Sequence, residues 1–493
     1  MSTELNSENN LRWYQGITKY QWLVLLIASL GWLFDVFEGQ IFVASMRDAM
    51  PDLLEVRVDN PMVRQWNDWA FGAFLLGGAL GGIFFGMLSD RIGRSKTMII
   101  TILFYSMFTC VSAFSQEGWH MVALRFLVAM GVGGEWAVAS AMVAEVMPKR
   151  SRAVMSSIFH ASSVFGTLLA AAAITLLIGN PEVNEFFAGK GIDGWRVGFF
   201  IGVIPAFLTL WIRWKLREPE SWTKAKEREK ADKSQATGRI QDVFNRKHIR
   251  NTFVGVSLAT IGLVTFWGCH IYGKNALLRQ AQAEVLVVEE IAADAPEAER
   301  AAAFNTPENK AKLKRAEMRS MAINTIGGGL GLVMFGWISN RIGRKGAFIL
   351  YHALGFISVI VLFKVMIPGG ASQLALSFFL PVFGFFTLGM HAGYAVYFPE
   401  LYPTRLRGTG SGLCFNAGRL GTAAAFFGLG AIVAPASDGE NFLVKGIRNF
   451  AEITRLPENF TPEEKSLWLA PLYIVGILIV FMAKETRDQE LPE

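Results

Sequence analysis

Long apolar segments recur along the whole chain and constrain its fold more than any other feature. A helix needs roughly 20 mostly apolar residues to cross a bilayer. Twelve segments meet that requirement, at residues 20–46, 67–88, 97–115, 119–147, 153–178, 195–216, 252–272, 318–338, 346–367, 373–398, 408–435 and 466–483. The hydrophobic share of the chain, 52%, is above that of an average soluble protein. The sequence therefore predicts an all-α membrane protein with twelve transmembrane helices.

Basic residues mark alternate connections between these segments. One such connection contains Arg91, Arg94 and Lys96, and the longest, residues 213–250, has 12 Lys and Arg against 6 Asp and Glu. Because Lys and Arg resist translocation, these connections are predicted to lie on the cytoplasmic side of a cell membrane (inner or plasma membrane). Both termini are then cytoplasmic. Because a cytoplasmic location already explains the basic stretch, the sequence does not predict a nucleic-acid partner.

Two long connections fall on the opposite, outer side, at residues 273–317 and 436–465. Thr306 has the pattern of a helix cap, and Thr461 with Glu464 fits a capping box. Both outer loops are therefore predicted to contain short helices outside the membrane.

The chain repeats itself at an offset of 250 residues. Residues 77–94, "GGALGGIFFGMLSDRIGR", match residues 327–344, "GGGLGLVMFGWISNRIGR", at 11 of 18 positions without a gap. A shorter pair, "AEVMPKRSRA" from Ala144 and "PELYPTRLRG" from Pro399, shares one Glu, one Pro and two Arg in register. The repeat predicts two related six-helix bundles, residues 1–216 and 252–493, joined by a basic linker, residues 217–251. Secondary transporters characteristically contain such repeats, with the substrate site near mid-membrane.

The repeated motifs also carry a family resemblance. "GMLSDRIGRSK" (Gly86–Lys96) and "RFLVAMGVGGEW" from Arg125 resemble signatures of the major facilitator superfamily. "PELYPTRLRGTGSG" from Pro399 and "REPESW" from Arg217 resemble its branch of sugar porters, organic-ion transporters and organic-acid/proton symporters. The resemblance implies a major facilitator fold of two pseudo-symmetric bundles. It also implies a transporter that works as a monomer without a cofactor.

The loop signature is predicted to form a conformational latch at the cytoplasmic boundary, where charge pairs can break and form again at a small cost in free energy. Its residues are Gly86, Asp90, Arg91, Gly93 and Arg94 in the first copy, Asn340, Arg341 and Arg344 in the second, and Glu145, Glu400 and Arg405 in the shorter repeat. Asn340 stands where the first copy has Asp90, so the second latch is expected to be weaker. The alternative is a fixed anchor that only sets topology.

Two carboxylates, Asp35 and Glu38, stand one turn apart inside the first apolar segment. An ionisable group at mid-membrane costs about 2.5–3.5 kcal/mol on insertion scales, so such groups need a partner or a function. "GWLFDVFEG" resembles the first span of lactate, sialate and niacin/proton symporters, which suggests a proton-coupling site. Arg125 could reach either acid, and the match to sugar/proton symporters implies a pair with Asp35. The alternative is a permanent ion pair that fixes helix packing.

Other polar residues inside the apolar segments are candidates for binding substrate. Arg419 presents a planar fork that fits a carboxylate, and organic-anion transporters of this branch carry an Arg at this motif position. His160 stands where sugar porters have a sugar-binding Gln, and two further hexose-contact positions are also lost. Glu135 is expected near the depth of Asp35. Packing roles are the alternative for each, and weaker candidates of the same kind are His391, Tyr394, Tyr397 and His270.

These patterns predict a secondary transporter that moves a small organic anion, such as a monocarboxylate, together with protons across the lipid bilayer. A sugar or polyol porter, a uniporter, and a nutrient sensor on the same scaffold are the alternatives. No His-Glu-x-x-His, Gly-x-Ser-x-Gly or phosphate-binding Gly-Lys motif occurs in the sequence, so an enzyme is not expected. Cys110, Cys269 and Cys414 are too scattered for a disulfide framework or a metal site.

Overall fold

The computed structural model describes residues 12–58, 60–174, 176, 181–292, 295–433 and 462–493, and its regular structure in these residues is helical. Nine α-helices among the described residues precede the linker. They are α1 (Lys19–Leu53), α2 (Pro61–Ile92), α3 (Arg94–Ser112), α4 (Gly118–Val146), α5 (Lys149–Ala161), α6 (Ser163–Ala173), α7 (Pro181–Ala188), α8 (Gly194–Ile201) and α9 (Ala206–Lys215). The linker itself contains α10 (Glu220–Ala231) and α11 (Ile240–Val243).

The helices described after the linker form the second half of the fold. They are α12 (Ile249–Thr265), α13 (Ile271–Gly273), α14 (Ala276–Val288), α15 (Glu297–Phe304), α16 (Pro307–Ile360), α17 (Gln373–Gly389), α18 (Ala392–Leu401), α19 (Arg407–Val433), α20 (Pro462–Leu469) and α21 (Pro471–Met482). Two π-helical turns, Phe266–His270 and Val361–Met366, continue α12 and α16.

Helices occupy all twelve positions predicted from the apolar segments. Within the described residues, eight helical stretches are long and apolar enough to cross a membrane. Two shorter apolar stretches, Gly194–Leu208 and Ser466–Met482, lie at the predicted segments 195–216 and 466–483. The predicted segments 318–338 and 346–367 run on as one helix, α16, with a break at Gly343.

Glycine breaks the helix path at equivalent places in the two copies of the loop signature. Gly93 has φ +116° and Gly343 has φ +85°, a region that side-chain-bearing residues rarely adopt. A glutamate caps the helix that restarts after each break. Glu218 accepts hydrogen bonds from the amides of residues 94–96, and Glu485 accepts them from residues 344 and 345. Burial alone would raise the pKa of Glu485, but these amide bonds hold it below its usual value.

The two halves also pack their second and fourth membrane segments alike. A Cβ on Gly81 of α2 would lie 2.1 Å from a backbone oxygen of α4, and a Cβ on Gly331 of α16 would lie 2.1 Å from one of α17. Only glycine allows helix backbones to approach this closely, which is a common packing device in membranes. The sequence repeat therefore corresponds to a repeat in helix packing.

A network of contacts joins the halves at one end of the molecule, defined here as the basic face, where Arg94, Arg344 and Arg407 lie. Helix α2 crosses α19 there, and a Cβ on Gly86 would lie 2.5 Å from the Gly408 carbonyl oxygen. Helix α5 contacts α16 in the equivalent place, with Ala153 against Gly336. The basic face is therefore closed in this structure.

The connection between α13 and α16, which the sequence predicts to lie on the outer side, contains two helices, α14 and α15. Thr306 caps α16, and its Oγ1 accepts a hydrogen bond from the amide of Asn309 at 3.3 Å. The predicted capping box at Thr461 and most of the second outer loop lie outside the described residues.

Candidate functional site

A buried ion pair joins α1 to α4. Arg125 Nη1 donates to Glu38 Oε1 at 2.6 Å, and Nη2 donates to Ser112 Oγ at 2.5 Å. Thr109 Oγ1 donates to the same Glu38 oxygen at 3.1 Å. The Arg125 guanidinium also lies 5.0 Å from the centroid of the Phe42 ring. Glu38 therefore has a fixed cationic partner.

The pairing of Arg125 with Asp35 that the family resemblance implied is wrong for this structure, because Arg125 binds Glu38. Helices α1 and α4 run in opposite directions across the membrane. Glu38 lies one turn farther from the basic face than Asp35, at the same depth as Arg125, which lies two turns into α4. This leaves Asp35 as the acid of the two that is available for other partners.

We expect Glu38→Gln to destabilise the protein. Removing one member of a buried ion pair leaves the other charge uncompensated, which typically costs about 3–5 kcal/mol. The thermal unfolding midpoint in detergent should fall clearly, and the double variant Glu38→Gln, Arg125→Gln should recover part of the loss. An unchanged midpoint in the single variant would contradict a structural ion pair.

Asp35 has a different environment. The side chain is buried, 2% exposed, and neither carboxylate oxygen forms a hydrogen bond of normal geometry with the described residues. Tyr105 is the hydroxyl that acts on it as a donor, and Glu135, Glu38 and Arg419 are the charged groups around it. A buried carboxylate with so few donors depends on a nearby cation to remain charged. Asp35 is therefore suited to exchange a proton.

Glu135 on α4 is the second acid of this group. Thr101 Oγ1 of α3 donates to its Oε2 at 2.8 Å, while Oε1 has no partner among the described residues. The free oxygen lies against Gly31 of α1, where an added Cβ would come within 2.5 Å of it. Glycine at position 31 thus makes the space in which Glu135 approaches the helix that carries Asp35.

Arg419 of α19 faces this acid group from the other half of the fold. Its Nη1 lies against Gly78 of α2, and its guanidinium lies 5.3 Å from the centroid of the Phe415 ring. It forms no ion pair or hydrogen bond with any residue that the structure describes, and Asp35 is the charged group that acts on it. A largely buried guanidinium in this condition retains all its donors for an anion.

An aromatic wall lies beside Arg419. Trp136 stacks on Phe415 with ring centroids 3.9 Å apart, and Trp32 stacks on His160 at 5.5 Å. Trp136 Nε1 donates to His160 Nδ1 at 3.1 Å. Because Nδ1 accepts, a neutral His160 carries its proton on Nε2, for which the described residues supply no partner. The wall therefore combines flat ring faces with one free N–H donor.

The weaker candidates are already engaged by backbone carbonyls. His391 Nε2 contacts the carbonyl oxygen of Gly262 at 3.2 Å, and the Tyr394 hydroxyl donates to that of Leu258 at 3.0 Å. The Tyr397 hydroxyl donates to a carbonyl oxygen just after α21, at 2.7 Å, on the basic face and away from Arg419. His391 alone of these is close enough to His160 to influence it electrostatically. The geometry gives Tyr394 and Tyr397 packing roles.

His270 is held within its own half. Its Nδ1 lies 2.7 Å from Thr387 Oγ1 and its Nε2 lies 3.2 Å from Asn324 Nδ2. Its ring also stacks on Phe266 at 5.1 Å. With both ring nitrogens engaged, His270 is not part of the group around Arg419.

The first copy of the loop signature ties the two halves together through Asp90. Its Oδ1 accepts from the amide of Gly408 at 3.0 Å and from Arg94 Nη1 at 2.6 Å. Its Oδ2 accepts from the amide and the hydroxyl of Thr409, at 2.8 and 2.6 Å. The carboxylate thus caps the N-terminus of α19, where the helix dipole favours a negative charge.

Glu145 completes this network as a bridge between two arginines. Arg94 Nη2 of the first half donates to its Oε1 at 2.8 Å, and Arg407 Nη1 of the second half donates to the same oxygen at 2.7 Å. All three side chains are fully buried. Opening the basic face would separate Glu145 from Arg407.

The second copy makes a weaker contact between the halves. Arg344 forms a two-pronged pair with Glu400, at 3.0 and 2.9 Å, but both residues belong to the second half. Asn340 receives a bond from Arg344 at 3.0 Å and donates one bond to the first half, to the Arg150 carbonyl oxygen at 3.2 Å. In the second copy, the neutral Asn340 amide therefore makes a single hydrogen bond to the other half, where Asp90 of the first copy makes a charged helix cap.

The other predicted latch residues lie around this centre and hold the linker. Arg91 Nη2 donates to the Gly238 carbonyl oxygen at 3.2 Å, and Arg405 Nη1 donates to Asp242 Oδ2 at 2.5 Å. Arg341 lies on the surface, and its carbonyl oxygen accepts a bond from the C-terminal segment. These residues anchor the linker and the C-terminal segment to the membrane helices.

We expect Asp90→Asn to weaken closure of the basic face. The amide cannot replace a carboxylate that accepts four hydrogen bonds, and each charge-assisted bond is worth about 1.5–3 kcal/mol. The distance between spin labels at Lys96 and Lys345 should shift toward a longer population. The same labels in Asp232→Asn, an exposed linker acid, supply the control. An unchanged distance distribution in Asp90→Asn would favour a fixed anchor over a latch.

Several residues of these clusters were not singled out from the sequence. Tyr105, Trp136 and Phe415 are ordinary apolar-segment residues in sequence, and only the packing of three helices brings them together. Arg407 had a usable signal, because the shorter repeat aligns it with Arg152. The capping role of Glu218 had none, since the residues it caps lie more than 120 positions away.

Comparisons with known proteins agree with this architecture. Residues 65–287 match the sequence model of the Major Facilitator Superfamily. The chain is therefore similar to the major facilitator superfamily over this range. A proton:xylose symporter of known structure, XylE, superposes with a TM-score of 0.62 at 18% sequence identity, covering 96% of this chain and 98% of that chain. The chain therefore has the twelve-helix, two-bundle fold of these transporters.

Curated relatives of the chain are named as transporters, two of them for organic acids, which indicates a membrane transporter rather than an enzyme. The sialic acid transporter NanX of Escherichia coli is 26% identical, over 84% of this chain and 87% of that protein. The cis,cis-muconate transport protein of Acinetobacter baylyi is 27% identical, over 77% of this chain and 81% of that protein. Both are similar along most of the length of the chain.

Proposed function

We propose that this transporter carries a small organic acid across the cell membrane together with a proton. The observation that supports this most is the position of two buried groups on opposite halves. Asp35 forms no hydrogen bond of normal geometry with the described residues, and neither does Arg419. The muconate and sialate substrates in the names of its relatives are both carboxylic acids.

Arg419 is the proposed anchor for the substrate carboxylate. A guanidinium and a carboxylate form two parallel hydrogen bonds, which orient the ligand as well as bind it. The stacked rings of Trp136 and Phe415 then offer flat apolar contact to the rest of the molecule. His160 Nε2–H can donate to a second polar group. This combination favours a planar, unsaturated or aromatic acid over a sugar.

Proton coupling follows from competition for the same cation. Without substrate, Arg419 is the cation that faces Asp35. A substrate carboxylate bound to Arg419 neutralises that charge, so Asp35 is left near Glu135 and binds a proton. The halves can then reorient with both charges satisfied, because a ligand shifts a conformational equilibrium by its differential affinity for the two states. In this scheme Glu38 and Arg125 remain a fixed pair.

The basic face is the proposed cytoplasmic side, with both termini on it. Substrate entering from the opposite side meets a closed basic face, as in this structure. Inward release then requires the contacts of Asp90 with α19 and of Glu145 with Arg407 to break. One chain contains both halves of the site, so a monomer suffices.

A ligand screen tests the proposed substrate class. The purified protein is heated with cis,cis-muconate, benzoate, sialic acid or xylose, at an acidic and at a neutral pH. We expect a carboxylic acid to raise the unfolding midpoint, and more strongly at acidic pH. Stabilisation by xylose alone would favour a sugar porter, and no pH dependence would favour a uniporter or a sensor.

A further inference from the structure

The two copies of the loop network differ by one carboxylate. In the first copy, the basic side chains Arg94 and Arg407 are matched by the acids Asp90 and Glu145. The repeat places Asn340 where Asp90 would be. The second copy therefore has the same two arginines by position, Arg344 and Arg152, but a single acid, Glu400.

Arg152 shows where the missing charge would act. Its Nε donates to the Ala144 carbonyl oxygen at 3.1 Å, as Nε of its counterpart Arg407 donates to Pro399 at 3.0 Å. The two arginines therefore enter their networks in the same way. Arg407 then binds a carboxylate, whereas the terminal nitrogens of Arg152 form no hydrogen bond with the described residues.

Glu400, the acid of the second copy, already accepts hydrogen bonds from other residues. Glu400 accepts two bonds from Arg344 and one, at 2.6 Å, from the Thr486 hydroxyl. Its carboxylate therefore does not bridge to Arg152 as Glu145 bridges to Arg407. The positive charge of Arg152, only 5% exposed, is left without a bonded anion in the part of the chain that the structure describes.

A cavity of about 190 Å³ lies at this place on the basic face. It is lined by Lys149, Arg150, Arg152, Asn340, Arg344, Asp488 and Gln489. Four of these side chains are cationic. The one acid, Asp488, accepts a bond from its neighbour Arg487 at 3.1 Å. The cavity thus has a positive lining at the junction of both halves and the C-terminal segment.

We propose that this cavity binds a phosphate-type oxyanion, which supplies the negative charge that Asn340 lacks. Arginine forks bind phosphate through paired charge-assisted hydrogen bonds, and Asn340 adds a neutral contact. The bound anion bridges α5 of the first half and α16 of the second. It therefore stabilises the closed basic face, independently of the organic-acid site around Arg419.

Phosphate binding is measured on the full-length protein, by the unfolding midpoint during titration with inorganic phosphate at constant ionic strength. A second arm places the protein in phosphatidylcholine nanodiscs with or without phosphatidylglycerol, which tests a lipid phosphate as the source. We expect a saturable rise in the midpoint in at least one arm. Arg152→Gln should weaken the apparent affinity about tenfold or more, the effect of losing a charge-assisted hydrogen bond.

Asn340→Asp is the decisive variant, because it restores the carboxylate of the first copy. It should be more stable than the phosphate-free parent and should no longer respond to phosphate or phosphatidylglycerol. Arg246→Gln, which removes an exposed linker charge, should respond like the parent. The proposal is overturned if neither arm stabilises the parent, if Asn340→Asp keeps the full response, or if Arg246→Gln loses as much as Arg152→Gln. None of these readouts depends on transport.

Discussion

Asp35→Asn should abolish proton-driven accumulation while leaving the protein folded and able to bind substrate. The amide mimics the protonated acid and cannot release a proton. One proton moving down a gradient of one pH unit supplies about 1.4 kcal/mol, enough for about tenfold accumulation. In proteoliposomes with an imposed proton gradient, the parent should accumulate substrate to about that extent, whereas the variant should only equilibrate it.

Asp48→Asn is the matched control, since Asp48 lies on the same helix but is exposed. It should accumulate substrate like the parent. The unfolding midpoint distinguishes the roles of the two acids of α1. Asp35→Asn should unfold at the same temperature as the parent, whereas Glu38→Gln should unfold at a lower temperature. Normal accumulation by Asp35→Asn would place the exchangeable proton on another group, with Glu135 the next candidate.

Arg419→Gln should weaken substrate binding about 100-fold, the loss of roughly 3 kcal/mol from a two-pronged charged interaction. Arg419→Lys keeps the charge but not the planar fork, so it should recover only part of the affinity. Binding is measured by titration of the purified protein with the acid that emerges from the ligand screen. Arg47→Gln, an exposed charge on α1, should bind like the parent.

Stability gives the Arg419 prediction a second readout. A largely buried cation without a bonded acceptor among the described residues costs stability, so Arg419→Gln should unfold at the same temperature as the parent or a higher one. A residue that served only as an interhelix salt bridge would show the reverse, a lower midpoint with unchanged affinity. That result would move the anion anchor elsewhere in the site.

The fold was predictable from the sequence because the signals that determine it are local or repeated. Apolar length predicts each membrane helix, and the match of residues 77–94 with 327–344 predicts two related halves. Even the joined helix α16 follows a rule visible in the repeat, since Gly343 corresponds to Gly93. Local sequence patterns do not show whether a glycine turn separates two helices or only bends a single one.

The partners of the charged groups were less predictable, because they depend on depth and on contacts across the chain. One turn separates Asp35 from Glu38, and that small difference in depth decides which of them Arg125 binds. Asp90 was recognised from its motif, but its amide partners at Gly408 and Thr409 lie more than 300 residues away. The sequence thus identified which charged side chains matter, but only the packed helices show which partners they bind.

The most direct test of proton-coupled organic-acid transport is the pH of the lumen during uptake. Proteoliposomes containing a trapped pH dye receive the acid identified in the screen, with no gradient imposed, and protein-free liposomes report passive leak. We predict acidification of the lumen in step with uptake for the parent, and only the passive signal for Asp35→Asn. Uptake by the parent without acidification beyond the protein-free level would contradict the account.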